Sequence, residues 1–324
     1  EAVIYATRCK YYPAKPRFLP GSLKGAPLDD SPPRVPTHSD PAFDLYGPAI
    51  PDRPLILSVP HAGRLYPPAL LSQARVRPEM LRRLEDRWVD LLVHPLIAQG
   101  FTVLVARAPR ALIDLNRHDR EVDPAMLSDL PHMVALQTSA KLRGGLGLLP
   151  RRLPGAPELW RGPIGWAEVQ RRIDMVHRPY HATLAQLMAA ARDAHGHAIL
   201  IDLHSMPPLP PPSPGCPAPG LVLGDRFGRS ASSRLTTLAA DVAAGHDMLV
   251  AINSPYAGDY LIERHGRPER DLHALQIEID RTLYLDATLD RPGPGIARMR
   301  ALVQAMAQAL AVELPRADYA LAAE

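Results

Sequence analysis

Residues 198–206 read AILIDLHSM and run straight into PPLPPPSP (207–214), and the reading of this stretch decides the fold. A short apolar run bounded by proline reads as a buried strand. Proline cannot donate to a β-ladder, so the strand has to end where the prolines begin. His204 is thereby carried to the carboxyl end of a strand, which is where layered α/β sheets collect their ligands. A neutral imidazole in that place is a good metal ligand, although a lone histidine there serves equally as a packed core residue. Asp202, two residues back, shares its face of the strand and is placed to fix the tautomer of the ring.

Working outward, PLILSVP (54–60), FTVLVAR (101–107), ALIDLN (111–116), GLVLGDR (220–226), MLVAINSP (248–255) and LHALQIEIDR (272–281) also read as strands. Leu81, Leu84, Trp88, Leu91 and Leu92 recur at helical spacing and predict a helix over 78–100, with Gly100 as its stop. Further helices are expected over 163–195, broken at Pro179, over 230–244 and over 294–311. The glycine- and proline-rich segment 131–163 is expected to cover a surface, and 253–260 to form a glycine-bearing loop. Alternating strands and helices predict a three-layer α/β domain over 41–324, with a central mixed, largely parallel sheet flanked by helices. Residues 1–40 are proline-rich without apolar periodicity and read as an N-terminal extension.

Composition narrows the function. Among 324 residues, 37 basic and 34 acidic side chains leave a net charge of +3 with no long block of one sign, which gives no nucleic-acid footprint. The apolar windows fall far below the roughly 18 residues of a membrane span, and the first residues lack the apolar stretch of a signal peptide. A soluble cytoplasmic protein with no membrane or nucleic-acid partner is expected. Cys9 and Cys216 make no ligand spacing and read as thiols in a reducing compartment. Prolines number 37 against four phenylalanines and three tryptophans, which implies many stiff loops.

The polar residues that follow apolar runs are His61, the pair Asn116 and Arg117, His204, and Glu278 within ALQIEID. Two imidazoles supply two metal ligands, and a catalytic zinc usually takes three. Asp86 is one source of the third; Glu85 and Asp90 lie on the same stretch, which reads equally as a solvated acidic face. Arg117 offers a guanidinium fork for a carboxylate, or a structural turn with Asp114.

Eight ordered blocks, SVPHAG (58–63), EDRWVD (85–90), DLNR (114–117), RPYH (178–181), DLHSMP (202–207), VLGDRFG (222–228), NSPYAGDY (253–260) and ALQIEIDRTLYLD (274–286), resemble the N-formylglutamate amidohydrolase family, whose fold is similar to that of zinc carboxypeptidases and aspartoacylases. The resemblance implies one zinc ion per chain, bound by His61 and His204. The relatives' third ligand is a glutamate three residues after the first histidine; Arg64 stands there, so the role transfers to Asp86, with Glu85 or Asp90 as the other candidates. The resemblance further implies that Asn116 and Arg117 hold the substrate carboxylate. It makes Glu278 the group that takes a proton from the attacking water and delivers it to the departing nitrogen. Arg178, His181, Asn253, Tyr256 and Arg281 become candidates for a second carboxylate or the scissile carbonyl. In the family the turn usually carries a glycine pair, and here it is Gly258 and Asp259.

The implied reaction is hydrolysis of a small-molecule N-acyl amino acid, N-formyl-L-glutamate giving formate and L-glutamate. The rival readings are a zinc hydrolase of another N-acyl amino acid or small peptide, and a non-catalytic scaffold that offers PPLPPPSP to a proline-binding partner.

Overall fold

The computed structural model describes residues 42–153 and 155–313. The 1–40 extension and Cys9 lie outside them. Cys216 Sγ accepts a hydrogen bond from Ser213 (3.2 Å).

Seven strands form one mixed sheet among the described residues: β1 (Phe43–Tyr46), β2 (Leu55–Val59), β3 (Thr102–Ala106), β4 (Ala198–Met206), β5 (Leu221–Gly224), β6 (Val250–Ile252) and β7 (Leu272–Asp280). Their spatial order is β1-β3-β2-β4-β7-β5-β6. The four inner strands β3, β2, β4 and β7 run parallel, whereas β1 joins β3 antiparallel and β5 joins β7 antiparallel. β4 is buried at all nine positions, as a strand covered on both faces must be.

The period of two sorts the core. Leu55, Leu57, Val59, Ile199, Ile201 and Leu203 face one layer, made by α3 (His94–Ala98), α7 (Ser233–Gly245) and α9 (Ile296–Val312). Ile56, Ala198 and Leu200 face the other, made by α5 (Trp166–Arg172), α6 (Arg178–His195) and α8 (Tyr260–His265). Each fully buried leucine or isoleucine contributes about 1.5–3 kcal/mol. The short helices α1 (Pro68–Gln73) and α2 (Pro78–Arg82) share a smaller apolar cluster with Leu84, Ala111 and Leu159, and α4 (Ala140–Arg143) lies in the connection to α5. No described helix is long and apolar enough to cross a membrane.

β2 has β3 on one side and β4 on the other, so successive crossovers leave in opposite directions and a crevice opens at the carboxyl ends of β2 and β4. His61 and His204 stand there.

Four sequence expectations are corrected. The helix over 78–100 ends at Arg82; a bend with Trp88 in the left-handed region (φ 58°) and a 3₁₀ turn over Val89–Leu92 precede α3. ALIDLN is a buried turn rather than a strand, with Asp114 N bonded to Leu148 O (2.7 Å). The helix expected over 163–195 runs from Trp166 to His195 without a break at Pro179, through a π segment, Ile173–His177, that takes up the irregularity just before the proline. Segment 131–163 is more than a cover: Leu148, Leu149 and Leu159 are wholly buried. The sequence reading also missed β1 and the helix α8 after Gly258.

Candidate active site

The first histidine is placed by a close approach. A Cβ on Gly63 would lie 1.9 Å from Ala108 O, so only glycine lets the PHAG turn press against the backbone beyond β3. His61 O then accepts the amide of Asp86 (3.0 Å), which pins the irregular segment that replaces the expected helix and brings the Asp86 carboxylate up to the ring. His204 arrives on β4 from the other side of the crevice.

The three side chains meet. His204 Nδ1 lies 3.1 Å from His61 Nδ1 and 3.0 Å from Asp86 Oδ2, and His61 Nδ1 is 3.4 Å from the same oxygen. Both rings are turned by carboxylates behind them: His61 Nε2 donates to Asp114 Oδ1 (2.7 Å) and His204 Nε2 to Asp202 Oδ2 (2.8 Å). With Nε2 carrying the proton, each neutral ring presents its Nδ1 lone pair to the common point. Two lone pairs 3.1 Å apart beside a carboxylate repel one another unless a cation or a proton sits among them. The donor set of two imidazoles and one carboxylate suits zinc, and the carboxylate–histidine backing is what metal-bound imidazoles usually carry.

The supporting groups are themselves fixed. Asp202 Oδ1 accepts from Ser58 (3.3 Å), whose hydroxyl meets Tyr180 OH (2.9 Å). Asp114 Oδ2 accepts from Arg110 Nε (2.7 Å). Burial works to raise the Asp114 carboxyl, but Arg110, His61 and Arg117 hold it well below the usual range, so it is an anion. Asp86 is likewise held down, against burial, by its bonds to His204 and His61. Burial disfavours a charged His204, but Asp202 and Asp86 outweigh it and drive its pKa well above the ordinary value.

The partners of the three acidic residues set them apart. Glu85 accepts from Tyr66 OH (2.5 Å) and pairs with Arg87 (2.7 Å). Asp90 is held two-handed by Arg64 (2.8 and 2.7 Å), the residue that stands where relatives carry their glutamate. Asp86 alone of the three faces the histidines.

Glu278 sits on β7 directly opposite His204 on β4, so parallel pairing puts both side chains on one face of the sheet. Gln276 donates to its Oε1 (2.9 Å), and burial, opposed by His204 and aided by Asp86, Asp259 and Asp202, pushes its pKa up to about 7. A carboxyl poised there suits general acid–base work near neutrality. Arg281 closes the same rim, with Nη2 3.2 Å from Ser205 O and 3.7 Å from Asp86 Oδ1.

The comparisons with known proteins address the same stretch. The profile of the N-formylglutamate amidohydrolase family matches residues 53–285. The chain belongs to that family. An N-formylglutamate deformylase of Pseudomonas putida is 30% identical over 249 residues, covering 72% of this chain and 83% of that one. The Pseudomonas aeruginosa enzyme of the same name is 29% identical over 243 residues, with 72% and 82% covered. The crystal structure of the N-formylglutamate amidohydrolase from Ralstonia eutropha JMP134 superposes with a TM-score of 0.75 at 34% identity, over 83% of this chain and 97% of that one. A gene product of Agrobacterium tumefaciens shares the fold at 19% identity with a TM-score of 0.58, over 83% and 94%. Family membership makes the chain an amidohydrolase.

Within this amidohydrolase, the other residues singled out in the sequence fall in different places. Arg117 is 2% exposed; Nε donates to Leu146 O (2.9 Å), Nη1 to Asn116 O (2.5 Å), and Nη1 also pairs with Asp259 Oδ2 (3.2 Å). Its turn partner is therefore Asp259, while Asp114 belongs to His61 and Arg110. Asn116 is buried and internally bonded: Oδ1 accepts from Leu261 N (2.7 Å), and Nδ2 lies 3.4 Å from Gln276 Oε1. Tyr256 lines the rim, with Lys141 Nζ 5.4 Å from its ring centre.

Three candidates are not brought to the cluster. Arg178 is exposed and pairs with Asp174 one turn earlier. His181 is buried against Leu115 O (2.9 Å) and His265 (3.0 Å). Asn253 (φ 59°) bonds the loop that starts at Asp225, accepting from Asp225 N (3.0 Å) and donating to its carboxylate (2.8 Å). Gln276 is the neighbour of the cluster that carries no signal in the sequence; Asp259 is legible there only as the second residue of the Gly258 turn. Asp114 had a signal, lying just before the Asn–Arg pair.

Proposed function

We propose that the chain is a zinc-dependent amidohydrolase that removes a short N-acyl group from an acidic amino acid, with N-formyl-L-glutamate as the first substrate. The observation that carries this reading is the convergence of two carboxylate-backed Nδ1 atoms and Asp86 beside Glu278, in register on the next strand. His61, Asp86 and His204 would hold the ion; when bound, it supplies a Lewis acid that lowers the pKa of a coordinated water toward about 7 and polarises a carbonyl.

The chain's own residues do the rest. Glu278 accepts a proton from the attacking water and gives it to the amine as the amide bond breaks, a task matched to its raised pKa. Arg117, set by backbone carbonyls on two of its nitrogens, binds the α-carboxylate. Asn116 positions the turn that carries Arg117 by anchoring it to Leu261 N and Gln276. Tyr256 and Arg281 line the rim where the remainder of the substrate passes.

Metal content and formate release from N-formyl-L-glutamate test the reading together. Glu278→Gln is expected to keep its zinc and lose about 10²–10⁴-fold in turnover. A variant of full activity, or a purified wild-type chain without zinc, would sink it.

A further inference from the structure

We propose that Asp259 is a specificity-determining residue, an internal carboxylate that competes with the substrate's α-carboxylate for Arg117. The proposal rests on the reading above in taking Arg117 as the carboxylate-binding group. Nε of the guanidinium is committed to Leu146 O and one Nη1 N–H to Asn116 O, so a carboxylate gripping it two-handed has the Nη1–Nη2 edge to use, and Asp259 Oδ2 already takes Nη1 at 3.2 Å. An incoming carboxylate that binds this edge with both oxygens takes the place Asp259 holds on Nη1.

Asp259 belongs to the site rather than to a remote surface. Its backbone N–H donates to Gln276 Oε1 (3.2 Å), and Gln276 Nε2 donates to Glu278 Oε1 (2.9 Å), so a single amide side chain links it to the acid–base residue. Its backbone is pinned: Gly258 has φ +102°, and a Cβ there would lie 2.1 Å from Ile262 Cδ1. Asp259 can yield Arg117 by side-chain rotation without moving the turn. Its side chain is 33% exposed, and Lys141 Nζ lies 3.9 Å from Oδ2, a second cation positioned to receive the displaced carboxylate. Binding is thus an exchange of one anion for another at Arg117, with Asp259 passing to Lys141. The exchange lowers affinity for every ligand that places a carboxylate at Arg117 and leaves ligands without one untouched.

The test measures binding of L-glutamate and of L-isoglutamine, which differ in the α-carboxylate alone, by titration calorimetry. Asp259→Asn and Asp259→Gly are each expected to lower the Kd for L-glutamate at least tenfold and to leave that for L-isoglutamine within twofold. Lys141→Ala should weaken L-glutamate binding in the unaltered chain and have no effect in the Asp259→Gly background, because no displaced carboxylate then needs it. Equal gains for both ligands, no gain for L-glutamate, or no measurable L-glutamate binding to any of the proteins overturns the proposal. Formate release by the unaltered chain stands apart from this: failure there sinks the hydrolytic reading, whereas the Kd comparison decides Asp259.

Discussion

His61 and His204 turn Nε2 to carboxylates, Asp114 at 2.7 Å and Asp202 at 2.8 Å, whereas His177 and His181 turn Nε2 to the backbone carbonyls of Arg117 and Leu115, at 2.8 and 2.9 Å. All four rings are buried. In the second group the bond to Leu115 O puts the proton of His181 on Nε2, so its Nδ1 accepts from His265 Nε2 (3.0 Å), and Tyr260 packs against the rings of His177 and His181. A carbonyl satisfies a ring without charging its surroundings, and the lone pair of His181 is used up internally. A carboxylate backs the ring with negative charge and leaves the lone pair pointing outward. Burial pushes His177, His181 and His265 below the ordinary histidine value, His265 to about 3, while acidic neighbours raise His204. The partner on the far nitrogen separates a packing cluster from a cluster whose donors fit a cation.

The largest test of this contrast removes a ligand. His204→Ala should abolish zinc retention and formate release together, as read by metal analysis, while His181→Phe should keep the metal and cost stability. Next comes the backing: Asp202→Asn should weaken zinc about 10–100-fold in a competition titration, since the ring loses its anionic acceptor and its fixed tautomer. A third test uses pH. A histidine whose folded pKa is depressed binds protons mainly when unfolded, so stability is full above about pH 6.5 and falls as the pH drops toward the folded value near 3. At pH 5 the loss is about 2 kcal/mol for His265 alone, measurable by urea unfolding, and His265→Phe should flatten the slope. Smallest of all, Arg178→Ala should change stability by about 0.5 kcal/mol or less and leave the KM unchanged, because its guanidinium faces solvent on the helix flank.

Six of the seven described strands were legible because their signal is local, an apolar run and then a proline or a polar residue; β1 escaped it, and ALIDLN carries the same signal in a turn. His204, Asp202 and Glu278 followed from strand periodicity together with the family blocks. The third ligand was not legible from the residues alone, because Glu85, Asp86 and Asp90 are alike in sequence and differ only in which cation reaches them. Arg64, the residue that removes Asp90 from contention, comes from 26 positions away. The surroundings of His181 were not legible for the same reason, since its partner His265 lies 84 residues on and comes from a helix the sequence did not announce. The false helix over 78–100 shows tertiary demand overriding periodicity. Its leucines are buried as expected and Trp88 is half-buried, yet the chain breaks so that Asp86 can reach His61.

The nine-residue pairing of β4 with β7 sets His204 level with Glu278. The separation of the two side chains is thereby counted in rungs of a ladder and is independent of loop length. The proline-rich stretch that follows Met206 lies outside this ladder, so a change in its length leaves the spacing of His204 and Glu278 unaltered.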